Sequence, residues 1–108
     1  MWLISRLIVE GDSMSPAYKP GDRLLVSPLP LFFSKLSRGD IVVFNHPKDK
    51  NKKIIKRVIG FPGDKIEGLE LGDKEYYFLG DNKNKSEDSR HFGPVERNQI
   101  FGKILFRY

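Results

Sequence analysis

The chain has no cysteine, only two histidines, and no apolar run long enough to cross a bilayer. Without cysteine there is no disulfide framework, no thiolate zinc cluster and no thiol nucleophile, and the redox compartment is left open. His46 and His91 lie far apart with no ligand spacing between them, so no metal site is expected and no residue pattern calls for a cofactor. The apolar opening, residues 1–10, falls well short of the roughly 20 residues a spanning helix needs. It neither begins with positive charge nor ends at a small-residue cleavage site, so it reads as a strand rather than a secretory leader. As written, the chain carries no transmembrane anchor and is expected in the cytoplasm or peripherally on a membrane. A sustained 3.6-residue apolar period is also missing, and residues 34–36 could form one helical turn at most.

What remains is a β pattern. With 108 residues the chain is expected to form one domain, 1–108, and eight Phe supply apolar bulk for a modest core. Strands are predicted over 3–9, 23–27, 41–44, 53–59, 65–67, 75–79 and 99–106, with a charged hairpin loop over 46–52. Gly21-Asp22, Gly39-Asp40 and Gly63-Asp64 each open onto apolar residues and read as turn punctuation. The expected fold is all-β: a small, coiled, partly closed antiparallel β structure with at most a short helical turn. The net charge of +5 favours anionic partners, nucleic acid or phospholipid, without choosing between them.

Three segments could carry chemistry. Ser13 sits in Gly11-Asp12-Ser13-Met14-Ser15-Pro16. The glycine permits a tight bend and the proline ends regular pairing, a setting that exposes a hydroxyl and can aim the Ser13 N–H at a developing oxyanion. The same residues also suit an ordinary turn. Lys56 lies in Lys53-Ile54-Ile55-Lys56-Arg57-Val58-Ile59, where strand alternation sets it on one face between Ile54 and Val58. A lysine on an apolar face is desolvated and becomes a better base, unless its ammonium snorkels to water. Residues 80–90 hold three carboxylates, two serines and an arginine. No strand core or helix face needs that composition, but a polar loop that fixes other groups by hydrogen bonds does. Ser86 or Ser89 could orient the lysine, and Asp88 with Arg90 could brace the loop.

Together these segments resemble the type I signal peptidases, a family of Ser–Lys endopeptidases. The resemblance runs from Gly11 through Ser13-Met14-Ser15-Pro16, the run from Lys56 to Asp64, and Gly80-Asp81-Asn82 with Ser86, Asp88, Ser89 and Arg90, to Phe92-Gly93-Pro94-Val95. It implies that Ser13 is the nucleophile and Lys56 its general base. It further implies that the Ser13 N–H contributes to the oxyanion hole, with Met14 on the substrate approach. Ser86 is implied to hydrogen-bond and orient Lys56, Asp88 and Arg90 to brace the site, and Asp81 and Asn82 to shape the loop. The implied reaction removes leader or signal sequences after small residues through an acyl-enzyme. Some members place a serine hydroxyl two residues before the nucleophile; here that position is Gly11, so a second oxyanion donor must come from elsewhere. Ala17 stands where Thr is usual, and only about 15 residues separate Asp64 from Gly80, where many bacterial relatives insert a second β domain. The chain is therefore similar to short members, the maturation peptidases of nickel-type superoxide dismutase and the mitochondrial inner-membrane peptidases, and also to anchored bacterial signal peptidases with the anchor removed.

Other readings compete. A self-cleaving repressor-type Ser–Lys protease carries its own cleavage site upstream, but only 12 residues precede Ser13 and none forms an Ala-Gly or Cys-Gly site. A basic β-barrel binding nucleic acid through Lys48, Lys50, Lys52 and Lys53 is disfavoured, because Asp49 and Asn51 interrupt the run. Peripheral contact with an anionic membrane through Trp2, Leu3, Leu29, Leu31, Phe32 and Phe33 is expected instead. The expected partner is a protein or peptide bearing a leader; oligomeric state is left open.

Overall fold

The computed structural model describes residues 5–28 and 36–108. The membrane-facing residues expected from sequence (Trp2, Leu3, Leu29, Leu31, Phe32, Phe33) and most of the helical turn expected over 34–36 lie outside them.

Among the described residues nine strands form in order: β1 (Ser5–Ile8), β2 (Arg23–Pro28), β3 (Ile41–His46), β4 (Asp49–Gly60), β5 (Lys65–Ile66), β6 (Leu69–Glu70), β7 (Glu75–Leu79), β8 (Val95–Glu96) and β9 (Ile100–Arg107). Seven build one antiparallel sheet ordered β1-β2-β9-β3-β4-β7-β8, and β5-β6 is a separate hairpin. The sheet is open, so the all-β expectation holds and its two outer strands do not meet. A helix expected nowhere near the loop 80–90 is present there: α1 (Ser89–Phe92).

The sheet coils enough to make two cores. Val42 and Phe44 of β3 join Ile54, Val58, Phe78 and Ile100 on one side. Ile41 and Val43 of the same strand join Val9, Met14, Leu24, Val26 and Ile104 on the other. A strand buried on both faces reads as a continuous apolar run, as Ile41-Val42-Val43-Phe44 does. Phe44 stacks on Phe78 with ring centroids 4.4 Å apart.

The three Gly-Asp turns are one device used three times. In each, the Asp carboxylate accepts from the N–H three residues earlier (Lys19, Ser37 and Phe61, at 2.8, 2.8 and 2.9 Å). The Asp N–H returns a bond to the carbonyl of that residue. The glycines have φ of +91°, +92° and +88°, which a side chain would resist and a type II turn requires. Each Asp is then tied elsewhere: Asp22 to Arg107, Asp40 to Lys103, Asp64 to Arg38.

The charged hairpin loop expected over 46–52 is mostly strand. The chain reverses at Pro47-Lys48 and β4 resumes at Asp49, pairing with β3 through His46↔Asp49 and Asn45↔Lys53 across a bulge. Residues 49–53 are solvated, so their polarity mimicked a loop, but Asp49 and Lys53 pair with β3 while 50–52 bulge between those two pairs.

Candidate active site

Strand β4 has two halves. Its last residues pair with β7 (Arg57↔Leu79, Val58↔Phe78, Gly60↔Tyr77). Its first half pairs only with β3 among the described residues, leaving an open edge. β1, at the end of the sheet, likewise has an open edge among the described residues. A cavity of about 710 Å³ lies between them, lined by Leu7 and Ile54 among others, and Ser13 and Lys56 open onto it.

Alternation along β4 buries Ile54, Lys56 and Val58 together, and Lys56 is only 5% exposed. Its Nζ donates to Ser13 Oγ at 2.9 Å, across 43 residues of sequence. Burial lowers the Lys56 pKa to about 8, against the opposing pull of the Asp88 carboxylate. Met14, fully buried in the second core, pins the Ser13 turn from below while touching the cavity floor. Among the described residues nothing accepts the Ser13 N–H. Gly11, at φ +76°, supplies the bend just before it.

The polar loop is tied to this pair through backbone and carboxylate. Asn82 N–H donates to the Ser13 carbonyl at 2.8 Å. Asp88 is wholly buried and accepts from the Gly80 N–H, the Ser86 hydroxyl, and both the N–H and guanidinium of Arg90. Burial pushes its pKa up, but these donors outweigh that and hold it at about 2. Asp81 forms a two-pronged pair with Arg57, whose third donor reaches the Gly39 carbonyl at 2.7 Å.

The structure thus gathers Gly11, Ser13, Met14, Lys56, Asp81, Asn82, Ser86, Asp88 and Arg90 in one region, with one rearrangement. The resemblance implies a Ser86–Lys56 hydrogen bond; here the Ser86 hydroxyl goes to Asp88 at 2.9 Å. Ser89, the other candidate hydroxyl, accepts the Phe78 N–H and so stitches α1 to β7. Two contributors were missed. Arg57 follows Lys56 and faces the other way, and alternation alone gave it no partner. Gly80 is hemmed in: a Cβ there would collide with the Ser86 side chain and crowd the Ser13 carbonyl. Its place at the head of the polar loop was visible, but not the crossing of three segments over it.

An antiparallel β domain holds a buried lysine against a serine beside a groove, and comparison with known proteins gives the family. The family described as signal peptidase, peptidase S26, matches residues 1–70 and 67–108. Signal peptidase I of Bacillus caldolyticus is 33% identical over 149 aligned positions, covering 100% of this chain and 81% of that protein. Signal peptidase IB of Staphylococcus aureus is 29% identical over 152 positions, covering 99% and 78%. The chain belongs to the signal peptidase family and is a peptidase.

Proposed function

We propose that this chain removes leader sequences from proteins with Ser13 as nucleophile and Lys56 as general base. The observation that carries the reading is the 2.9 Å contact between Lys56 Nζ and Ser13 Oγ in a setting that lowers the lysine pKa to about 8. At neutral pH roughly a tenth of such lysines are neutral, enough for an amine to take the hydroxyl proton. Ser13 Oγ then attacks the scissile carbonyl carbon. The Ser13 N–H is available to the oxyanion that forms. Lys56 returns the proton to the leaving amine as the C–N bond breaks, leaving an ester on Ser13. A water that gives its proton to Lys56 attacks the ester carbon, and the proton passes on to Ser13 Oγ as the acid product leaves.

The two open strand edges suit an extended substrate, which adds main-chain hydrogen bonds whatever its side chains. The preference for small residues before the cut comes from the family resemblance. The two-piece family match, overlapping at 67–70 on the β5-β6 hairpin, supports reading this region as lacking the second β domain that the family resemblance puts there in many bacterial members.

The test is incubation of the chain, Ser13→Ala and Lys56→Met with a peptide library, reading new N-termini by mass spectrometry. Cuts after small residues should appear with the parent and vanish in both variants. Persistent cutting by folded Lys56→Met would exclude the lysine as base.

A further inference from the structure

The free edge of β4 is short and bounded at both ends. Lys53, Ile54, Ile55 and Lys56 pair with Asn45, Phe44, Val43 and Val42 of β3, and among the described residues nothing pairs with their other side. At one end Lys56 reaches Ser13, and pairing with β7 begins at Arg57. At the other end the ladder breaks. Asn45 and His46 are neighbours on β3, but their partners are Lys53 and Asp49, so Lys50, Asn51 and Lys52 bulge out between them. The regular free edge, Lys53 to Lys56, is therefore about 13 Å long.

Side chains hold the bulge in shape. The Asp49 carboxylate accepts the Asn51 N–H at 3.1 Å, an Asx turn that curls the chain off the ladder. Just before it, the buried His46 ring accepts the Lys48 N–H through Nδ1 at 3.0 Å. Glu87 of the polar loop reaches both: its Oε1 is 3.6 Å from His46 Nε2 and 3.9 Å from Lys52 Nζ. Asp49, Asn51, Lys52 and Glu87 all line the cavity onto which Ser13 and Lys56 open. A bulge takes regularly spaced N–H and C=O groups out of an edge, so an extended chain added to β4 meets no ladder beyond Lys53.

We propose that this bulge is the end stop of the substrate slot: it confines main-chain pairing to about four substrate residues on one side of the cut, and the chain beyond them runs over a polar rim. The count starts at the Ser13–Lys56 pair and so rests on that pair being the reacting one. The substrate class this selects is a segment that lies extended beside the cut for that length, with no such demand farther out on that side.

The experiment is an N-methyl scan. The probe is the best-cut library peptide, extended with alanine on both sides and methylated at one backbone amide at a time, the scissile amide excepted. Each methyl removes one donor and leaves the side chain alone. On one side of the cut, about four consecutive amides should each lose on the order of tenfold in kcat/KM, and those farther out should stay within about twofold of the unmethylated probe. Deleting Lys50, Asn51 and Lys52 makes Asp49 and Lys53 neighbours, as His46 and Asn45 are, so the hairpin keeps its register and the edge gains a residue. With its fold checked by circular dichroism, that variant should lengthen the sensitive run by about one amide. Sensitivity in the parent that is confined to the residue beside the cut, or that runs on past about six residues, would overturn the end stop while leaving the reacting pair intact. A folded deletion variant with an unchanged run would do the same; if the deletion does not fold, the scan of the parent decides alone. Cutting that survives Ser13→Ala would overturn the reacting pair and the count with it.

Discussion

Lys56 is held where its charged form is poorly solvated, and the cost falls on the fold. Its folded pKa of about 8 lies below the 10.5 of a free lysine. The penalty is therefore complete below about pH 8 and fades as pH rises toward 10.5, where the unfolded chain also gives up its proton. Lys56→Met should raise stability at pH 7 by up to roughly 3 kcal/mol, measured by urea unfolding, with the gain vanishing by about pH 10.5. Asp88 has the opposite sign. Its pKa of about 2 lies below the ordinary 3.8, so it contributes stability that is present above about pH 4 and lost as pH falls toward 2. Asp88→Asn should cost roughly 3 kcal/mol at neutral pH, because Arg90 keeps its charge and loses its partner, and should flatten the acid limb of a stability–pH curve. The face on which Lys56 lies was legible in sequence because strand alternation is local. The balance between its burial and Asp88, 32 residues away, was not.

At the scale of elements, the polar loop and its helix work as a clamp. Gly80 marks the point where β7 ends, Ser86 folds back and the Ser13 carbonyl approaches. Gly80→Ala should destabilise the protein by about 1–3 kcal/mol through overpacking, lowering Tm by on the order of 5–10 °C. Cleavage should fall further than the stability loss explains, since the displaced atoms are those of Ser86 and Ser13. The β5-β6 hairpin turns through Glu67 and Gly68, at φ +49° and +84°. Both central residues are left-handed, a geometry that glutamate resists and asparagine accepts. Glu67→Asn should therefore stabilise by about 0.5 kcal/mol or a little more, read from the shift in urea midpoint. Composition found the clamp, because a glycine followed by ten polar residues in a row has no other structural use. It failed at 49–53, where equally polar residues belong to β4 because the Pro47-Lys48 turn brings Asp49 and Lys53 back to pair with β3 around a bulge.

For the whole molecule, the relevant fact is which described segments meet at the groove: the β1 edge, the Ser13 turn, the open half of β4 and the clamp. The β5-β6 hairpin is not among them. A flexible Gly-Ser insertion after Glu67 should leave both folding and cleavage within about twofold of the parent, since hairpin tips tolerate added chain at small entropic cost. A loss of activity with the fold intact, seen by circular dichroism and peptide cleavage together, would show that the hairpin reaches the substrate. The sequence by itself determined the longer strands though not β6 or β8, the three Gly-Asp turns, the face on which Lys56 lies and the family, because each depends on neighbours in the chain. Tertiary structure decided what distance along the chain hides. It set the 2.9 Å contact spanning 43 residues. It directed Ser86 to Asp88 rather than to Lys56, and it joined Arg57 to Asp81 across 24 residues. Those outcomes depend on how a coiled sheet brings its edges and loops together, and no local pattern encodes that.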